Sequence, residues 1–112
     1  MEQLIQWSDF EKIEMRVGTI IQADEFPEAR KPAYRLSIDF GEFGIKKSSA
    51  QITNLYTPEN LVGKRIIAVV NFPVKKIGPF ESECLVLGVI GDAQGVTLLT
   101  TDLPVSNGLR IA

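Results

Sequence analysis

Lysines and hydroxyls sit together in the run Lys46-Lys47-Ser48-Ser49-Ala50-Gln51-Ile52. An extended backbone sends Lys47, Ser49 and Gln51 to one face and Lys46, Ser48 and Ala50 to the other. An ammonium supplies a point charge and a hydroxyl a neutral donor, a combination that suits phosphate oxygens. A second segment, Asn71 to Leu85, is rich in Pro and Gly and carries Lys75 and Lys76 beside Phe72, Ile77 and Phe80. Its lysines point to contact with an anion. Its three apolar side chains have two readings: clamps that hold a loop inward, or the wall of a groove for a peptide or a base.

The charge distribution extends the first idea. Residues 30–76 hold nine Lys/Arg (Arg30, Lys31, Arg35, Lys46, Lys47, Lys64, Arg65, Lys75 and Lys76) against Asp39, Glu42 and Glu59, a net +6. The rest of the chain nets −8, giving −2 in all. A basic centre in an acidic frame suits a face that meets an anion, nucleic acid first and an acidic protein surface next. The plainer alternative is that these cations solvate the outer faces of strands.

Other chemistry is poorly served. The chain has no His, which removes the usual general base, metal ligand and triad member. The single Cys84 lies in the apolar run Cys84-Leu85-Val86-Leu87, so a buried, inert thiol is expected and no internal disulfide can form. Lys47 and Ser48 are adjacent on a strand and point to opposite faces, so they make no dyad. A non-enzymatic protein without cofactor or metal is expected. At 112 residues and 45% hydrophobic composition, one domain spanning 1–112 is expected. No apolar run approaches the roughly 20 residues that span a bilayer, so no membrane insertion is expected. Met1 to Gln6 lacks the marks of a signal peptide, which points to the cytoplasm.

The elements that must position these residues are mostly strands. Met15 to Ala23 is β-branched, with Gly18 marking a bulge or bend. Tyr34, Leu36, Ile38 and Phe40 alternate with polar residues, a half-buried strand that Gly41–Gly44 turns into a second over 45–52. Thr57-Pro58-Glu59-Asn60-Leu61-Val62-Gly63 has a cap, a proline at the first helical position and a terminal glycine. Ile66 to Val70 reads as a central buried strand, Leu85 to Ile90 as another, and Val96 to Thr100 as a last one. Ser8 and Glu11 match a capping box for a short N-terminal helix. Five main strands with a short helix between the third and fourth is the order of an all-β, five-stranded OB-fold barrel. That fold binds ligands on strands two and three and the adjoining loops. An SH3-like barrel is the structural alternative.

With these stretches in place the chain resembles the tRNA-binding-domain family of OB folds, and within it a branch of small export-related chaperones. The resemblance runs from Phe10 to Ala112. It rests on Met15-Arg16-Val17-Gly18-Thr19-Ile20, on 26–34, on 46–52, on Tyr56-Thr57-Pro58-Glu59, on Val69-Val70-Asn71-Phe72-Pro73, on 82–88 and on Pro104-Val105-Ser106-Asn107-Gly108. It implies a ligand surface at Arg30, Lys31, Lys46, Lys47, Ser49, Asn71, Lys75 and Ser82. It also implies a homodimer joined through the N-terminal segment and the C-terminal strands. Leu4, Ile5, Trp7, Leu103, Val105, Leu109 and Ile111 are apolar residues available for such an interface; the alternative is that both ends fold back on their own barrel. Ser82-Glu83 followed by Leu85 departs from the Ser-Gln and Met common in synthetase-type domains, which favours the chaperone branch. The leading expectation is therefore a dimeric chaperone. It would hold unfolded preproteins or peptides through Phe72, Ile77 and Phe80 and work with export machinery. The second is structure-specific tRNA binding through the same face.

Overall fold

The computed structural model describes residues 3–112; Met1 and Glu2 of the leader lie outside the described residues. Five antiparallel strands form the main sheet: β1 (Met15–Glu25), β2 (Tyr34–Asp39), β3 (Ile45–Ala50), β4 (Arg65–Val69) and β7 (Leu85–Val86). Their order is β3-β2-β1-β4-β7, curled so that β3 approaches β7 and the barrel nearly closes. Two hairpins stand outside it: β5 (Lys75–Ile77) with β6 (Phe80–Ser82), and β8 (Gly88–Val89) with β9 (Thr97–Leu98). The expected OB fold is the observed one.

Alternation fills the barrel. Tyr34, Leu36 and Ile38 of β2 are buried while Arg35, Ser37 and Asp39 are half-buried on the outer side. They meet Ile20, Phe40, Ile52, Ile66 and Ala68 in one core. α2 (Pro58–Leu61) lies between β3 and β4 in sequence and buries Leu61 completely. The Thr57 hydroxyl accepts from the Asn60 main-chain N–H and the Asn60 side-chain Oδ1 accepts from the Thr57 N–H, so both ends of the box are closed.

Four local readings are corrected. The bulge in β1 falls between Ile20 and Gln22, not at Gly18. Gly18 is required instead by a close approach: a Cβ there would lie 2.6 Å from Ile38 Cγ2 and 2.7 Å from Phe40 Cε1. The N-terminal helix α1 (Trp7–Glu11) starts earlier than expected, with Gln6 as its cap and Asp9 accepting from the Gln6 N–H. The Asn71–Leu85 loop contains the β5–β6 hairpin. The 85–90 strand is split into β7 and β8, the second paired with β9.

The C-terminal backbone returns to its own barrel. Val17 N–H donates to Leu109 O, Gly108 N–H to Val17 O and Ile111 N–H to Met15 O, so the tail lies along the first half of β1. Arg16 clips it there, donating to Gly108 O at 2.7 Å with its guanidinium 3.8 Å from the Phe43 ring centre. Leu103 and Leu109, like Leu4, Ile5 and Trp7 at the other end, remain exposed.

Candidate peptide and anion site

The site lies where β3 faces β6 and β7. Lys47 and Glu83 hold this seam as a pair: the Glu83 N–H donates to Lys47 O at 2.7 Å, and the Lys47 N–H donates to the Glu83 carboxylate at 2.9 Å. One step along, the Ser49 N–H donates to the Ser82 hydroxyl at 3.3 Å. Beneath them the buried Ser48 hydroxyl donates to Cys84 O at 3.0 Å. Side-chain oxygens thus take over much of the work a strand ladder would do, and the strands separate beyond Ser49.

A cleft of about 810 Å³ opens there. Its floor comes from Ser49 to Ile52, one wall from Phe72, Pro73, Val74, Lys75 and Ile77, and the other from Leu85 to Gly88 with Ile90 and Val96. Lys75 is the one charged residue in the lining among the described residues. Phe72 and Val74 are more than half exposed and Ile90 is 80% exposed, so the apolar walls are available to a ligand.

The residues singled out from sequence do not all meet in one place. Ser49, Lys75, Ser82, Phe72 and Ile77 meet in the cleft. Lys47 and Phe80 line a smaller hollow of about 280 Å³ with Lys76 and Glu81. There Phe80 packs on Phe26, with ring centres 5.3 Å apart, so this aromatic serves as a clamp between the hairpin and the β1–β2 loop. That clamp anchors the loop carrying the exposed Arg30 and Lys31. Lys46 stands opposite Ile38 on the inward side of β3, half-buried, away from the outer face of Lys47 and Ser49. Asn71 spends both ends of its amide within the chain: Nδ2 donates to Lys12 O at 2.7 Å and Oδ1 accepts from the Glu14 N–H at 3.0 Å.

Arg35 belongs to the basic face, although the sequence marks it only as a cation on the polar side of its strand. It sits opposite Ser49, its guanidinium lies 5.6 Å from the Phe26 ring centre, and its buried Nε has no hydrogen-bond partner among the described residues. The alternation of β2 placed it outward; only the cross-strand register shows that it adjoins Ser49. Cys84 lies at the back of the cleft, where burial pushes its thiol up to about 12.

The family described as a putative tRNA binding domain matches residues 15–110. The chain belongs to the tRNA-binding-domain family. This domain is 50% identical to the chaperone CsaA of Bacillus anthracis str. Ames, with a TM-score of 0.93 over 98% of this chain and 100% of that one. It is 54% identical to the CsaA chaperone protein of Picrophilus torridus, with a TM-score of 0.92 over 97% of this chain and 100% of that one. Among curated proteins it is 35% identical to the methionine–tRNA ligase of Bdellovibrio bacteriovorus over 107 residues. That match covers 96% of the domain and 15% of the ligase, so the domain spans a small part of such relatives. The resemblance to the chaperone branch read from sequence stands. The similarity supports a chaperone or tRNA-binding role.

Proposed function

We propose that this tRNA-binding-type domain is a non-enzymatic chaperone module of the cytoplasm, acting as a homodimer that holds unfolded preproteins or peptides for export. The observation that carries the reading is the cleft. Its walls are apolar and half exposed, its lining carries the cation Lys75, and it opens beside a basic outer face. An unfolded client offers apolar segments interspersed with charge, which such a cleft fits. Two clefts on one dimer raise avidity for a long chain. The exposed Leu4, Ile5, Trp7, Leu103 and Leu109 are the surface such a dimer would cover.

The test is suppression of aggregation of a heat-denatured client. Phe72→Glu and Ile77→Glu place a charge in the apolar wall and should each weaken the protection severalfold. Unchanged protection by both variants would remove the cleft from the reading.

The second reading, tRNA binding, is favoured by the family and by the outer face of Arg35, Lys47 and Ser49, with the Arg30-Lys31 loop anchored nearby. It predicts affinity that falls steeply with salt, because phosphate contacts release counterions. Both ligands use adjoining surfaces, so they should compete.

A further inference from the structure

The seam leaves main-chain groups facing the cleft. On β3, Lys47 and Ser49 send their N–H groups away from β2, toward Glu83 and Ser82. Gln51 is next in that odd-numbered series and lines the cleft, and among the described residues neither of its main-chain groups has a hydrogen-bond partner. Across the cleft, β7 ends the sheet with β4 as its neighbour there. Leu87 N–H donates to Ile67 O, and Leu85 pairs with Val69, so the main chain of Val86 between them faces the open side. An exposed strand edge is a template for a further strand.

We propose, resting on the peptide-binding reading above, that the cleft recognises an extended client segment as an added β-strand along Ser49–Ile52. The segment would hydrogen-bond to the Gln51 main chain and take over the Ser49 N–H, whose present 3.3 Å bond to Ser82 is long. Alternate residues of the segment would then point at Phe72, Ile77, Leu85, Ile90 and Val96. Charge complementarity fixes the rest of its chemistry. Among the described residues the lining has Lys75 as its charged group and the smaller hollow has Lys47, Lys76 and Glu81, with Lys76 and Glu81 4.0 Å apart; the net charge is positive, so the occupant is an alternating apolar segment with a carboxylate beside it. Recognition through the main chain is tolerant of sequence, because the pairing groups are the same in every client and only the alternation and one charge are read.

The test leaves the protein untouched. A fluorescein-labelled peptide of alternating Leu and Ser behind two Asp residues is titrated with the full chain. The same peptide is then made with a single N-methyl group at each position in turn. N-methylation removes one main-chain donor and blocks pairing on that side. A strand addition predicts a period of two: methylation at every second residue weakens binding about tenfold or more, and the intervening positions change it less than about twofold. Binding of the parent peptide with equal effects at all positions would overturn strand addition while leaving the peptide groove intact. Failure of the parent peptide to bind would overturn both. Replacing the two Asp residues by Lys should weaken binding severalfold; equal or tighter binding would overturn the charge assignment. Full displacement of the peptide by excess copies of a Leu4–Lys12 peptide would mark the groove as a contact between copies of this chain and overturn the client assignment.

Discussion

Glu83→Gln and Glu83→Ala separate the two jobs a carboxylate could do at the seam. Glu83 accepts the Lys47 N–H at 2.9 Å, and no Lys or Arg among the described residues lies within salt-bridge distance of it. Its structural contribution is therefore a hydrogen bond to main chain. A bond to a charged acceptor is worth about 1.5–3 kcal/mol when buried, and Lys47 is exposed enough for water to replace the lost partner. The alanine variant should thus lose about 1 kcal/mol, a fall of roughly 4–5 °C in Tm for a domain of this size. Glutamine keeps an acceptor oxygen and should lose less than about half of that. On the binding side the charge itself matters. A phosphate held about 8 Å away is repelled by roughly 0.5 kcal/mol in a water-like dielectric, about a twofold effect per phosphate. Glu83→Gln should therefore bind tRNA a fewfold more tightly at low salt, with the gain fading as salt screens it. Thermal melts and anisotropy titrations of both variants read these effects. A glutamine variant that melts as low as alanine would make the charge structural and contradict this division. Unchanged tRNA affinity in both variants would contradict it equally.

Three further outcomes follow from the same coordinates. The Arg16 guanidinium, bonded to Glu14 at 2.7 Å, holds that carboxyl below its ordinary value of 4.5. A group with a depressed folded pKa contributes stability above its unfolded value and loses it as pH falls through the folded one; Tm should drop below pH 4.5 in the wild type and drop less in Glu14→Gln. Cys84, with its thiol raised to about 12, should not react with a disulfide reagent at neutral pH until the chain is unfolded, and rapid labelling of the native protein would contradict its burial. Asn71→Ala removes two bonds that tie the α1–β1 connection to the end of β4, so it should cost about 1–2 kcal/mol in a denaturant melt; a loss of tRNA affinity without a loss of stability would give Asn71 a ligand role instead.

What the sequence disclosed was local. The alternation of β2, the cap and proline of α2, and the apolar run of Cys84 each follow from a few adjacent residues, and the structure bears them out. Long-range causes were hidden. Gly18 looks like a bulge because a glycine in a strand has two common explanations, and the one that applies depends on Ile38 and Phe40 of another strand. Gly88, the first residue of β8, has a similar long-range cause, since a Cβ there would lie 2.5 Å from Val96 Cγ1. The face of Lys47 and Ser49 followed from alternation, but the inward setting of Lys46 and the company of Arg35 required the β2–β3 register. The opposite wall of the cleft, Leu85 to Gly88 with Ile90 and Val96, was legible as strand and not as site, since nothing local shows that β3 and β7 part beyond Ser49.

The most direct measurement is anisotropy of the purified chain against a labelled signal-bearing peptide and a labelled tRNA, each across a salt series. The account predicts peptide binding that changes less than about threefold as salt rises, because the cleft is apolar, and weaker tRNA binding that falls steeply. Lys47→Ala should lower the tRNA slope by about one unit. Tight tRNA binding with no peptide binding at any salt would contradict the chaperone reading and make the domain an RNA-binding module.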